Sequence, residues 1–412
     1  MDNPGHGPFK TKQIFLKSPL SASRRKKQEM KDISIIILLA VIMFAVTGGS
    51  LVGPILPEMM APLGVGQKSI GLILSVYTLL ALISTPLSGL LADLYGRKAI
   101  IVPCTILFGF SGLLITFTHD FGLILVLRGL QGIGVGGMMN TVTTAIGDMY
   151  QGTRRHQIMG YRFTVQGLTN AAIPFVSGAL AVMAWFLPFY IHSLAIFLGI
   201  FAAFKLKEPT GKSPRPENYF RRALAAMGNI RAIWLFSSNF MGFLLLYCLV
   251  VYMPIFVVGD LGLTAMHAGL ALSVGSGTAS LTATRAGMLR KRFPEEGLIF
   301  SGFLVCAIAL LLIGTAPGYW LMLAFFVLWG VGYGTIMPVL NASAAGLVSA
   351  ELRGGVLSIF TMLIYLGQTL SPPFFALFVT ETGVHRTFLA AAALALLPIG
   401  FTLFIGFKKK TP

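Results

Sequence analysis

Leu63-Gly-Val-Gly-Gln-Lys-Ser-Ile-Gly-Leu-Ile-Leu-Ser-Val76 recurs, 198 residues further on, as Leu261-Gly-Leu-Thr-Ala-Met-His-Ala-Gly-Leu-Ala-Leu-Ser-Val274. At the same offset and without a gap, Gly89 meets Gly287, Leu91 meets Leu289, and the Leu-Leu-Ile at 113–115 meets that at 311–313. Gly132, Gly134 and Gly136 then meet Gly330, Gly332 and Gly334. Shared apolarity does not hold glycines in register over such a distance, so the chain reads as two copies of one unit.

Each copy is too apolar for water. Of 412 residues, 55% are apolar and 11% charged, against roughly a quarter charged in soluble domains. A hydrocarbon core of about 30 Å takes about 20 helical residues to cross. Twelve stretches qualify: Ile33–Leu56, Ser69–Leu91, Ala99–Thr118, Phe121–Ile146, Ile158–Met183, Trp185–Phe204, Ile233–Val258, a short Ala268–Thr284, Gly297–Thr315, Tyr319–Leu340, Val356–Val379 and Thr387–Phe407. The expected fold is an all-α integral membrane protein of two six-helix bundles related by a parallel repeat, the plan of transporters that rock two bundles about a midplane site. Residues 1–32 read as a disordered cytoplasmic tail, 33–204 as the first bundle, 205–232 as a cytoplasmic linker, 233–407 as the second bundle and 408–412 as a closing tail.

The formal charge of +17 would suggest a nucleic-acid partner in a soluble chain. Here 28 of the 31 Lys and Arg fall on one side if the spans alternate, with Lys68 and Arg386 opposite and Arg128 inside a span. That is the positive-inside distribution. It places both termini in the cytoplasm, the chain in the cytoplasmic membrane, and no nucleic acid among its partners. Cys104, Cys248 and Cys306 lie in apolar stretches without metal-ligand spacing, so they read as small core residues, and neither metal nor cofactor is expected. No Ser-His-Asp, HExxH or Cys-His constellation sits in the spans, so an enzyme is not expected either.

After the second span the chain reads Gly89-Leu-Leu-Ala-Asp-Leu-Tyr-Gly-Arg-Lys98. Asp93 could accept hydrogen bonds from a neighbouring helix N-terminus; a solvated turn with positive-inside charges has the same composition. Arg128 stands seven residues into the fourth span and shares a stripe with Gln131, Val135 and Met138. An ionisable group there is expensive unless it faces the bundle interior. It can be an interhelical hydrogen-bond anchor, an arginine reaching the interface, or a coupling or substrate residue. Gly132, Gly134 and Gly137 fit GxGxxG, but no strand precedes them, and helix packing through small residues accounts for them better.

Two of these stretches resemble signatures of the major facilitator superfamily, most like its 12-helix drug/proton antiporter branch. Gly89, Asp93, Gly96, Arg97 and Lys98 match its loop signature. The resemblance implies that the acid latches the first half to the start of the eleventh helix, here Arg353-Gly-Gly-Val356, with Asp148 and Arg154 as charge-relay partners. In the second repeat Lys291 stands for Asp93 and Pro294 for Gly96, which makes the latch one-sided. Leu127-Arg128-Gly-Leu-Gln-Gly-Ile-Gly134 resembles a second signature, found mainly in proton-coupled members, where the arginine is implicated in proton transfer. Gly167, Pro174 and Gly178 match the family's antiporter signature poorly.

None of the fourteen carboxylates falls mid-span, and the first-helix acid of many drug exporters is missing near Thr47 and Gly48. A cavity would therefore be neutral, polar and soft. Candidates at helical spacing are Thr47; Gln166 and Asn170; Asn239 and Tyr247; Tyr333, Met337 and Asn341; Tyr365 and Gln368. Polar interhelical contacts give the same spacing. The functional expectation is a monomeric secondary transporter moving a small amphipathic molecule by alternating access, as proton-coupled multidrug-type efflux. Uptake of a neutral solute such as a sugar is the second reading, and a non-transporting sensor or scaffold on the same fold the third.

Overall fold

The computed structural model describes residues 19–208, 228–347, 353–381 and 383–408. They form α1 (Pro19–Ser50), α2 (Leu72–Tyr95), α3 (Lys98–Ile115), α4 (Phe121–Met149), α5 (Gly152–Ala181), α6 (Tyr190–Lys205), α7 (Ile230–Ile255), α8 (Ala265–Arg292), α9 (Glu295–Gly314), α10 (Tyr319–Gly346), α11 (Arg353–Ala376), and α12 (His385–Leu394), which continues past Ala395 as α13 (Leu396–Lys408). Local chemistry sets several ends. Asp120 Oδ1 accepts from Leu123 N at 2.6 Å and caps α4; Asn229 does the same for Ala232 N at 2.7 Å and caps α7. Gly96 closes α2 at φ 106°, where a side chain would be strained.

Some boundaries depart from the sequence expectation. The first helix begins at Pro19, inside the segment expected as a tail, whose residues 1–18 lie outside the described residues. Residues 209–227 of the expected linker also lie outside them. The eighth helix is not short. At 28 residues it runs through the basic stretch to Arg292, because positive charge in a last turn complements the helix dipole even where hydropathy has ended. Among the described residues, ten segments are long and apolar enough to cross a membrane. The fifth and eighth helices, at 30 and 28 residues, are not among them, and they pack on each other.

The repeat seen in the sequence is a repeat of contacts. Added Cβ atoms on Gly132 and Gly136 would strike the carbonyls of Tyr77 and Ala81 on α2, and one on Gly134 that of Cys104 on α3. Their repeat mates Gly330, Gly334 and Gly332 face the carbonyls of Gly275 and Ala279 on α8 and Gly302 on α9, each again 198 positions on. The glycines let α4 and α10 approach two neighbours at backbone distance.

Where the halves meet decides the conformation. One end of the molecule carries the loops with Arg97, Arg154 and Arg290 and is called the basic end; the other is the far end. The bonds Thr78 Oγ1–Thr369 Oγ1 (2.9 Å) and Phe175 N to Ser273 Oγ (3.0 Å) join the halves towards the far end. A Cβ on Gly71 would lie 2.8 Å from Pro372 Cβ, and one on Gly53 would lie 2.8 Å from Val250 O. Along the antiparallel α5–α8 seam, Gly178 abuts Ala265 O and Gly269 abuts Pro174 O. Further down, a Cβ on Gly167 would stand 3.2 Å from Ser280 Oγ, while Gly160 and Gly287 have nothing within 4 Å. Gly152–Gln157 at the start of α5 are exposed, as is most of the end of α8. The seam is shut at the far end and parts about midway, so a cleft opens at the basic end. Because Pro174 O is backbone, Gly269→Leu should force the far end apart: Ser273→Cys in that background should react with a membrane-impermeant maleimide from the far side severalfold faster than Ser273→Cys alone.

Candidate functional site

Arg128 is fully buried. Its Nη1 donates to Gln131 Oε1 (2.7 Å), its Nη2 to Gly48 O (2.7 Å) and its Nε to Ile73 O (3.3 Å), and the guanidinium lies 4.2 Å from the Tyr77 ring centroid. Gln131 Nε2 donates to Phe108 O at 3.2 Å and stands 3.1 Å from His192 Nδ1. One arginine and one glutamine thus tie α1, α2, α3, α4 and α6 together without a carboxylate. His192, absent from the sequence candidates, is fully buried between the rings of Phe108 and Phe189, its Nε2 without a hydrogen-bond partner among the described residues. A single histidine in an otherwise apolar span was the signal for it. In the second half the mates of Arg128 and Gln131 are Phe326 and Trp329, stacked at 5.7 Å, with Tyr333 stacked on Trp329 at 4.7 Å. An aromatic column replaces the polar hub.

At the basic end, Arg97 is 7% exposed and is gripped by Asp93 Oδ1 at Nη1 and by Asp148 Oδ2 at Nε (3.0 Å). Burial disfavours its charge, but hydrogen bonds from the two carboxylates outweigh that and hold its pKa above the usual arginine value. An anion sits at the N-terminus of α3, and it is Glu208. Its Oε1 accepts from Arg97 N (2.6 Å) and its Oε2 from Lys98 N (3.0 Å). Nothing along the chain signals this contact, because Glu208 follows α6, more than a hundred residues away. Gly89 is buried in α2, and Arg154 is exposed in the first turn of α5. The helix start that the resemblance assigns to the latch, residues 353–356, lies partly outside the described side chains, which resume at Gly355. In the second half Glu295, the mate of Arg97, takes Arg231 at 3.2 Å and Arg290 at 3.7 Å. The signs of the network are reversed.

The remaining candidates divide. Met138 is fully buried in the packed core of the first half, with no cavity face. Thr47 is buried and its hydroxyl donates to Phe44 O (2.6 Å) of its own helix. Asn239 Nδ2 donates to Phe360 O at 3.0 Å, joining α7 to α11, and Asn341 is exposed with Nδ2 on Met337 O at 2.9 Å. Met337 packs its Cε on Gly242. Tyr247, Tyr365 and Gln368 are 7%, 9% and 9% exposed. A Cβ on Gly49 would stand 3.0 Å from Tyr247 Oη, so this tyrosine reaches the other half. Gln166 and Asn170 are partly buried on α5. One more side chain belongs with them. Arg162 is one turn before Gln166 on the same helix face, its Nε is buried without a hydrogen-bond partner among the described residues, and it lies within electrostatic reach of Tyr365 on α11. In the sequence it counted only as a positive-inside charge.

Residues 38–319 and 235–412 match the family model of the Major Facilitator Superfamily. The chain belongs to that superfamily, a family of membrane transporters rather than enzymes. It is 24% identical over 394 residues to the "Bacillibactin exporter" of Bacillus subtilis, covering 92% of this chain and 97% of that one. It is 24% identical over 332 residues to the "Quinolone resistance protein NorA" of Staphylococcus aureus, covering 77% and 83%. Its fold is that of a bacterial homolog of the human lysosomal transporter Spinster, solved "in Inward-facing And Occupied Conformation", with TM-score 0.79, 14% identity and 92% and 97% coverage. The chain is therefore a multi-pass major facilitator transporter of a small molecule.

The hub and the cap predict different losses. Arg128→Met leaves buried acceptors without donors, each costing about 1–3 kcal/mol, and should lower the thermal unfolding temperature in detergent markedly. Glu208→Gln weakens one helix cap and should cost about 1 kcal/mol. Wild-type stability in Arg128→Met would mean that the arginine is not a structural anchor.

Proposed function

We propose that this transporter exports a small amphipathic molecule from the cytoplasm by alternating access, coupled to protons, as a monomer in the cytoplasmic membrane with both termini inside. The observation that carries the reading is the α5–α8 seam, tight at Gly178 and Gly269 and empty at Gly160 and Gly287. With the basic end cytoplasmic, this is the state open to the cytoplasm. Residues 33–204 and 233–407 are the two bodies that rock. The exporter and drug-resistance relatives support the direction, and the lack of mid-span carboxylates supports coupling through another group.

In this state Asp93 and Asp148 hold Arg97 inside the first half, and Gly89, Gly96, Lys98 and Arg154 shape the same loop region. When the basic end closes, α11 packs against this cluster, and the contacts of Asp93 with the second half strengthen. The acid then stabilises the opposite state, and exchange between the two is transport. Arg128, with Gln131 and His192 beside it, forms the buried polar hub placed to sense proton movement in the first half.

Two measurements test the reading. Reconstituted protein should show a substrate-dependent response to an imposed pH gradient across liposomes. Asp93→Asn should slow turnover severalfold with substrate affinity largely kept, whereas a sensor or scaffold on this fold would lose nothing measurable. No movement of any candidate substrate and no response to the gradient would end the efflux reading.

A further inference from the structure

Several buried polar atoms lack a hydrogen-bond partner among the described residues, His192 Nε2 and Trp329 Nε1 among them, and Arg162 Nε is the one that belongs to a cation. α5 starts at Gly152, so Arg162 lies nearly three turns inside the helix, about 15 Å along it at 1.5 Å per residue. Unlike Arg128, it has no carbonyl, amide or carboxylate on its buried Nε among the described residues; its charge lies 5.1 Å from the Phe163 ring centroid. Tyr365, within its electrostatic reach, belongs to the second half and packs among core residues of the first, which puts Arg162 near the interface between the halves.

Its height in the seam is equally specific. A Cβ on Gly167 is in contact range of Ser280, one turn and a residue above Arg162; Gly160, two residues below it, faces open space. On the second half, Tyr365 lies one turn below Thr369, whose hydroxyl makes the closing bond to Thr78. Arg162 and Tyr365 therefore stand together at the roof of the cleft, directly under the contacts that shut the far end. Gln166 and Asn170 continue the same face of α5, and Tyr247 enters from α7. The group offers one unpaired cation and several neutral polar groups. No carboxylate falls mid-span, no carboxylate pairs with Arg162 among the described residues, and a guanidinium with a buried nitrogen and no counter-charge is costly until one arrives.

We propose that the transported molecule is an amphipathic organic anion, an aromatic or apolar body bearing a carboxylate-type group, and that Arg162 is the residue that binds the anion. The inference rests on the transporter reading of this cleft and adds the substrate's charge. Arginine suits the task because its planar fork meets a carboxylate with two parallel hydrogen bonds. The tyrosine rings supply the apolar contact area. Binding at the junction of both halves also gives the anion different contacts in the two states, which a transported molecule requires.

The test uses one aromatic body with three charges: 1-naphthylacetate, 1-naphthylacetamide and 1-naphthylmethylammonium, each titrated calorimetrically against the purified full-length protein. The wild type should bind the acetate at least tenfold more tightly than the amide and the ammonium least. Arg162→Gln should bring the acetate-to-amide ratio close to one without weakening amide binding, and Arg162→Lys should recover part of the ratio. Amide binding in Arg162→Gln at the wild-type level shows that its site is folded. A preference for the ammonium, equal or absent binding of all three, or an acetate preference that survives in Arg162→Gln overturns the proposal. Alternating access is read separately, from the distance between spin labels at Gly160→Cys and Gly287→Cys with and without an imposed pH gradient. A change in that distance upholds the transporter reading whatever the charge preference; a fixed distance with an intact acetate preference upholds the anion site and removes the transport.

Discussion

In a bilayer core a polar group has no water to fall back on, and most features of this molecule answer that constraint. Threonines along the helices return their hydroxyls to the preceding turn, as Thr85 does to Ala81 O and Thr105 to Ile101 O. Several carboxylates sit at helix ends, where Asp120 caps α4 and Asp148 meets Arg97. Arg128 is tolerated because three carbonyl oxygens and a ring face receive it. Against that background a buried guanidinium nitrogen with no acceptor among the described residues is costly, and its position near the interface of the halves gives it a use.

The two halves solve the packing problem alike and the chemical problem differently. The glycines of α4 and α10 meet equivalent carbonyls in both, which preserves the frame of each bundle. On that frame the first half carries the Arg128–Gln131–His192 hub, while the second stacks Phe326, Trp329 and Tyr333. The basic-end networks are likewise inverted, Arg97 between two acids in one half and Glu295 between two arginines in the other. Backbone approach tolerates no change, because a side chain would have to occupy the place of a carbonyl. Side-chain networks can be exchanged on that frame, because they do not set how closely the backbones approach.

The polarity of α5 and α8 belongs to the same economy. A helix whose face alternates between a partner helix and an aqueous cleft cannot be uniformly apolar, and these two form the seam that parts midway. Their glycines at the far end permit backbone contact; their polar residues below it face the opening. The boundary between those regimes lies within one or two turns of Arg162.

The sequence by itself determined the number of spans, the repeat and its register, the sidedness of the charges, the lack of mid-membrane acids, and the oddity of Arg128. These are properties of composition and spacing along one helix, fixed by the length of a bilayer crossing and the period of an α-helix. Met138 shares the stripe of Arg128 and packs in the core of the first half, which the stripe alone does not tell, because it says which face a residue is on and not what lies opposite. Glu208 at the start of α3, His192 beside Gln131, and Arg162 under the closed seam depend on contacts between elements far apart in the chain. Which end is open is decided only in the tertiary structure, because one sequence must support both packings of its halves, and only the contacts made across the seam distinguish them.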